Sequence, residues 1–145
     1  MITQEQKEFY KKREKEIGQP DFTKLKNKLL SLGGEAVVPM YEEDLDKILE
    51  RGKTFNDKKI TMKKGYPSEC HVNVGLLHEA TGCNVTTGWA LSDDGLWRQH
   101  TWCTNKEIYE TTEKREKYYG FVLDKGETEE FIENQDTWSY DNPYK

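Results

Sequence analysis

Apolar residues change their spacing once along the 145-residue chain, near position 83. Before that point the period is helical. Phe22, Leu25, Leu29 and Leu32 recur at intervals of three and four, which predicts a helix over 21–32 stopped by Gly33-Gly34. Leu45, Ile48 and Leu49 form one side of a helix over 42–51, closed by Gly52. Thr3 can cap an earlier helix that ends at Gly18 and Pro20. Its apolar positions (Ile2, Phe9, Ile17) are sparse, so it should lie on the surface or in a partner's groove. Residues 36–40 read as a short extended piece. Residues 53–66 read as a loop with a short strand over 60–62, and a loop of that length inside a compact domain is often functional.

Ser68 reads as an N-cap, with Glu69 suited to the positive end of the helix that follows over 70–80. After its stop at Gly82 the pattern turns to strands, over 84–93, 96–104, 107–112 and 118–123. Asp94-Gly95 signals one hairpin and Thr104-Asn105-Lys106 a second. A last helix over 127–134 precedes an aromatic, polar tail, 136–145, that either covers the sheet or frays. The expected fold is therefore α+β: N-terminal helices, a helix packed on a three- to four-stranded antiparallel sheet, and a C-terminal helix. A single domain spans 1–145, with a helical part over 1–52 and a helix-plus-sheet core over 67–123.

Hydrophobic and charged residues each make up 34% of the chain and the mean hydropathy is −1.00, so the core must draw heavily on a few large side chains. They cluster in the sheet region: Trp89, Trp97, Trp102, Tyr109, Tyr118, Tyr119 and Phe121. A net charge of −5 with Lys and Glu interleaved argues against a general grip on nucleic acid. No signal-peptide pattern and no run of about 18 apolar residues for a membrane span is present. Three cysteines without close spacing suggest neither a disulfide framework nor a zinc site. The expectation is a cytoplasmic protein with reduced thiols, no metal and no cofactor.

Candidate chemistry centres on Cys70, in the first turn of its helix, where unpaired N–H groups and the dipole favour a thiolate. A cysteine nucleophile needs a base, and the base an orienting group. His71 points about 100° away from Cys70 on the helix, and His78 lies two turns on. His100, on a strand, remains. A two-residue loop at Asp94-Gly95 would pair Trp89 with His100 and Leu91 with Arg98. A three-residue loop over 104–106 would pair Cys103 with Glu107 and His100 with Glu110, with side chains about 5 Å apart at Cβ. A loop one residue shorter or longer would put Glu110 on the opposite face. The candidate catalytic residues are thus Cys70, His100 and Glu110. Asn73 (one turn along the helix), Trp89 and Arg98 are candidates to bind substrate.

That order resembles the core of papain-like hydrolases in the broad sense, including NlpC/P60-type peptidases and transglutaminase-like proteins. The similarity lies in Gly88-Trp89-Ala90-Leu91-Ser92, in Gly95-Leu96-Trp97-Arg98-Gln99-His100-Thr101-Trp102 and in Glu110-Thr111-Thr112, with Cys70 before them. The resemblance implies a Cys nucleophile at a helix start, a His base on a following strand and a polar orienting residue after it. It covers about a third of the chain. Lys64 stands where such sites carry an oxyanion glutamine, and Glu110 where they carry Asp, Asn or His. The expected activity is cysteine-dependent acyl hydrolysis or transfer at an amide- or peptide-type bond of a small-molecule or peptide substrate. The competing expectation is a non-catalytic protein-binding module on the same core, docking a protein partner or a second copy of the chain in a homodimer.

Overall fold

The computed structural model describes residues 2–145. Helix α1 (Gln4–Ile17) begins at Thr3, whose hydroxyl accepts from the Gln6 amide while the Gln6 side chain accepts from Thr3 N–H, and it ends at Gly18 in left-handed backbone. None of its residues is buried, as its sparse apolar pattern predicts. Helices α2 (Phe22–Leu32) and α3 (Leu45–Arg51) bury Phe22, Leu25, Leu29, Leu45 and Ile48. Between them lies β1 (Ala36–Val37), and after them β2 (Lys53–Thr54) and β3 (Ile60–Met62). Helix α4 (Cys70–Thr81) leads into β4 (Asn84–Leu91), β5 (Leu96–Thr104), β6 (Ile108–Glu110) and β7 (Lys117–Val122). Helix α5 (Lys125–Asn134), capped reciprocally by Asp124 and Glu127, precedes a 3-10 turn at Thr137–Ser139.

The α+β class holds, but the sheet is larger and mixed. Its path is β2-β7-β4-β5-β6-β3, with β1 added to β5, making seven strands. The expected three- to four-stranded antiparallel sheet is only its centre. The short segments join it: the strand expected over 60–62 is β3, parallel to β6, the extended piece supplies β1, parallel to β5, and β2, read as loop, runs antiparallel to β7. A two-residue strand carries too little periodicity to announce itself, and a partner already in place supplies its hydrogen bonds.

The first hairpin loop is one residue longer than expected, and the second lies one residue further along the chain. The β4–β5 register pairs Gly88 with His100 and Trp89 with Gln99. Ser92 N–H donates to Leu96 O, so the loop is the three residues Asp93, Asp94 and Gly95, with Gly95 at φ 84°. That is the glycine-dependent three-residue hairpin rather than the two-residue one. The slip of one moves Trp89 off the His100 face. Trp89 joins Phe22, Leu25, Leu29 and Ile48 under α2 and α3, while Trp102 packs with Phe55, Ile108 and Tyr118 on the other side of the sheet. Trp89, Trp97 and Trp102 are all fully buried, and rings of that size bury about 150–250 Å² each, which is how so polar a chain closes a core.

Helix α4 covers a third region. Val74 and Leu77 pack on Cys83, Val85 and Cys103. Cys83 and Cys103 form a disulfide, with Cα atoms 5.8 Å apart, so the expectation of three reduced thiols is corrected. Cys103 pairs with Val85, two residues beyond Cys83, and this diagonal position across adjacent strands brings the sulfurs together. The tail covers α4 rather than the sheet: Thr137 is buried with its hydroxyl on Glu79, Asn142 donates to Leu76 O at 2.8 Å, and Tyr144 OH donates to Lys63 O at 2.7 Å. Among the described residues no helix is long and apolar enough to cross a membrane.

Candidate active site

Strand β5 is paired along one side by β4, but on its other side only at its two ends. β1 takes Leu96 and Trp97, and β6 takes Cys103 and Thr104. The stretch between them, which contains His100 and Thr101, leaves an open strand edge, and the first turn of α4 fills it. The Cys70 thiol lies close enough to the His100 side chain and the Thr101 backbone N–H for both to stabilise its thiolate. One turn of helix thus takes the place of the missing strand at the point where the histidine sits.

The turn before Cys70 is held from inside. Asn73 is fully buried; its Oδ1 accepts from Tyr66 N–H and its Nδ2 donates to Tyr66 O, both at 2.8 Å. Ser68 is not the cap. It adopts left-handed backbone at φ 60°, and Glu69 occupies the N-cap position with no side-chain cap bond. The first amides of α4 are therefore not claimed by a capping side chain and face the half-buried Cys70 with the positive end of the helix dipole.

Behind Cys70, His100 Nε2 lies 2.8 Å from Glu110 Oε1, which leaves Nδ1 for the sulfur. The β5–β6 loop is three residues long, 105–107, and pairs Cys103 with Tyr109. The expected pairing of His100 with Glu110 is thus off by two positions. An even shift keeps the face, so Glu110 reaches His100 diagonally instead of directly across. Glu110 is fully buried and well supplied with donors: Tyr118 OH at 2.7 Å on Oε1, and the Thr112 N–H and hydroxyl, each at 3.1 Å, on Oε2. The imidazole packs parallel to the Trp102 ring at 6.1 Å.

The electrostatics follow from those contacts. Burial alone would raise the Cys70 thiol, but the hydrogen bond and charge of His100 and the Thr101 N–H hold it below its ordinary value. Burial alone would lower His100, yet its bonds to Cys70 and Glu110 raise it. Burial would likewise raise Glu110, and His100, Tyr118 and Thr112 hold it down. The three shifts agree in direction, each favouring the ionised form of its group.

A cleft of about 770 Å³ opens on the helical face of the sheet, between the α3 side and the α4–α5 side. Thr87, Gln99 and Phe121 lie on its floor, and His71 and His100 also line it, although the His100 ring packs on the opposite face of the sheet with Trp102 and Tyr118. Cys70 is outside the lining, next in the chain to His71, whose Nδ1 is 2.8 Å from the Thr101 hydroxyl. The other candidates are placed differently. Trp89 is fully buried and donates from Nε1 to Glu42 at 2.9 Å, and it is Glu42 that lines the cleft. Asn73 is committed to Tyr66. The Arg98 guanidinium is committed to Asp94 at 2.7 Å and to Ser92 at 3.0 Å, bracing the β4–β5 hairpin.

Sequence reasoning missed Thr101, Tyr118, Thr112, Glu42 and Gln99. Only Thr112 and Thr101 carried a signal, as sequence neighbours of Glu110 and His100. The rest arrive through strand order. Among the described residues no group of three or more His, Cys, Asp or Glu side chains is placed to hold a metal ion. Comparison of the chain with protein-family models, with curated proteins and with solved structures finds no match.

Proposed function

We propose that this chain is a cysteine-dependent acyl hydrolase or transferase acting on an amide- or peptide-type bond, with Cys70 as nucleophile, His100 as base and Glu110 as the group that orients the base. The observation that carries the reading is the convergence of the three groups: the Cys70 thiol lies within electrostatic reach of His100, whose Nε2 is 2.8 Å from the buried Glu110. A structural histidine does not need a thiol at a helix start on one nitrogen and a buried carboxylate on the other. The arrangement is the one implied by the resemblance to papain-like hydrolases.

In this reaction the Cys70 thiolate attacks the substrate carbonyl carbon, and the electron pair of the C=O bond moves to oxygen. The N–H groups at the start of α4 stabilise that oxyanion. His100 gives its Nδ1 proton to the leaving amine as the C–N bond breaks, and a thioester on Cys70 remains. His100, now neutral, takes a proton from water, or from an acceptor amine in transfer. The new nucleophile displaces the thiol, releasing acid or amide and restoring the pair. Glu110 remains a carboxylate throughout and fixes the tautomer that presents Nδ1 to sulfur.

The test is the rate of Cys70 alkylation by iodoacetamide against pH, with the parent and with His100→Ala. The expected profile has its rise well below that of an ordinary thiol, and His100→Ala moves it back up. A parent profile that matches a model thiol while the protein is folded would overturn the proposal.

A further inference from the structure

The loop between β6 and β7 brings a fourth charged group to Cys70, His100 and Glu110. Arg115 lies in that loop, and its side chain is only 12% exposed. A guanidinium has N–H donors on every side and no acceptor, so a buried one must find a partner for each. Nη1 donates to Ser92 Oγ at 2.9 Å, Nη2 to Thr112 Oγ1 at 3.5 Å and Nε to Glu113 O at 3.2 Å. None of these partners carries charge. The one ion-pair partner of Arg115 among the described residues is Glu110, whose Oε1 lies 4.0 Å from Nε. Ser92 also accepts from Arg98, but Arg98 is already neutralised by Asp94 at 2.7 Å. The charge of Arg115 is left facing the buried carboxylate.

We propose that Arg115 is a positioning residue for Glu110: it keeps the carboxylate ionised, aims the Thr112 hydroxyl at it, and through it holds His100 in its orientation. The hydroxyl part follows from donor chemistry. A guanidinium cannot accept a hydrogen bond, so the Thr112 hydroxyl on Nη2 points its proton elsewhere, and Glu110 Oε2 lies 3.1 Å away. The charge part follows from burial. The titratable groups that act on Glu110 are His100 on β5, Tyr118 on β7, Tyr144 in the tail and, beyond His100, Cys70 on α4. Of these only His100 can be a cation, and it gives up its proton when it serves the leaving group. A guanidinium stays charged through that step, so Glu110 keeps a counter-charge and does not take the proton itself. The role rests on the catalytic reading for its purpose, while the pairing of Arg115 with Glu110 can be measured apart from it.

The test follows the Glu110 side-chain carboxyl by carbon NMR across the acid range, with Glu110→Gln assigning the signal, in the parent, Arg115→Met and Arg115→Lys. Methionine keeps much of the bulk and loses the charge. Lysine keeps the charge and loses the planar fork that reaches Ser92 and Thr112. The Glu110 midpoint should rise by about one pH unit or more in Arg115→Met and by less than half of that in Arg115→Lys. The acid edge of the Cys70 alkylation profile should move up with it, in the same order. A residue that merely braced its loop would be missed equally in both variants. A midpoint in Arg115→Met equal to the parent's, or equal midpoints in the two variants, overturns the proposal. A shifted carboxyl with an unmoved alkylation profile overturns the relay to His100. Should Arg115→Met fail to fold, the parent decides: its Arg115 Nε resonance should titrate together with the Glu110 carboxyl, and a resonance flat through that midpoint overturns the pairing. A parent that alkylates as an ordinary thiol overturns the catalytic reading, and the carboxyl midpoints still decide the pairing.

Discussion

Replacing Glu110 by Gln changes one buried oxygen into an NH2 group and leaves the shape of the side chain intact, so its consequences can be worked out from the contacts. Oε1 accepts from His100 and Tyr118, and Oε2 accepts from Thr112 N–H and its hydroxyl. An amide can satisfy only one of those pairs. If its NH2 turns to Thr112, the hydroxyl can rotate and accept, but the backbone N–H faces a donor, which costs about 1–3 kcal/mol. If the NH2 turns to His100, the ring must give up its Nε2 proton and carry it on Nδ1, the nitrogen that serves Cys70. In both cases the bonds that remain lose their charge assistance, about 1 kcal/mol each. Relief of carboxylate burial returns part of this, and the sum is a loss of about 2–4 kcal/mol. For a domain of this length that corresponds to a fall in Tm of about 5–15 °C. Urea unfolding measures the first quantity. NMR titration measures the local one, because the chain has only three histidines and His100→Asn assigns the signal. The His100 midpoint should move down toward the ordinary imidazole value. An unchanged His100 titration, together with a stability within about 0.5 kcal/mol of the parent, would refute the view that Glu110 organises this site.

The pH dependence of the parent has a definite sign. Glu110 is held below its unfolded value of 4.5, so its contribution to stability is fully present above that pH and is lost as pH falls through the depressed folded value; acid unfolding of Glu110→Gln should be correspondingly shallower. His100 is raised above 6.5, so its contribution is fully present below that pH and fades as pH rises through the folded value, which urea stability measured from pH 6 to 9 will show as a decline absent in His100→Ala. Asn73→Ala removes both amide bonds to the Tyr66 backbone and should cost about 2–3 kcal/mol in urea unfolding, and it should also slow Cys70 alkylation because the turn before the nucleophile loosens. Retention of the parent alkylation rate would confine Asn73 to stability. Gly88→Ala places a methyl against Tyr119 O and the Gly120 backbone in the centre of the sheet, so the expected outcome is a loss of about 3 kcal/mol or more, or failure to fold; parent-like Tm would contradict the β4–β7 register. Thiol counting on protein denatured without reductant should find one reactive cysteine, Cys70, rising to three after reduction.

Much of the architecture was legible because local rules act strongly on it. The helices over Gln4–Ile17, Phe22–Leu32 and Cys70–Thr81 follow from apolar spacing closed by Gly18, Gly33 and Gly82, and Thr3 caps as its type predicts. The four central strands follow from alternation between turn residues. Hairpin parity placed Glu110 on the His100 face even though its loop lies one residue further along, because both alternatives are three residues long. The same reasoning misplaced Trp89, because Asp94-Gly95 fits a two-residue or a three-residue loop and a single residue decides the face.

By itself, then, the sequence determined the order of elements, the position of Cys70 at a helix mouth, and the parity that carries His100 and Glu110 to one side of a sheet. These are properties of neighbours within a few residues. Only the tertiary structure decided that β1 and β6 would leave a gap along β5 and that the start of α4 would fill it. The same is true of the Glu110 donors Tyr118 and Thr112, and of the carboxylates just before α3 and on α5 that line one cleft. The two-residue strands that close the sheet are too short to have a period. The partners of a buried carboxylate are fixed by strand order, which depends on how all the apolar faces are covered at once and on no single stretch of chain.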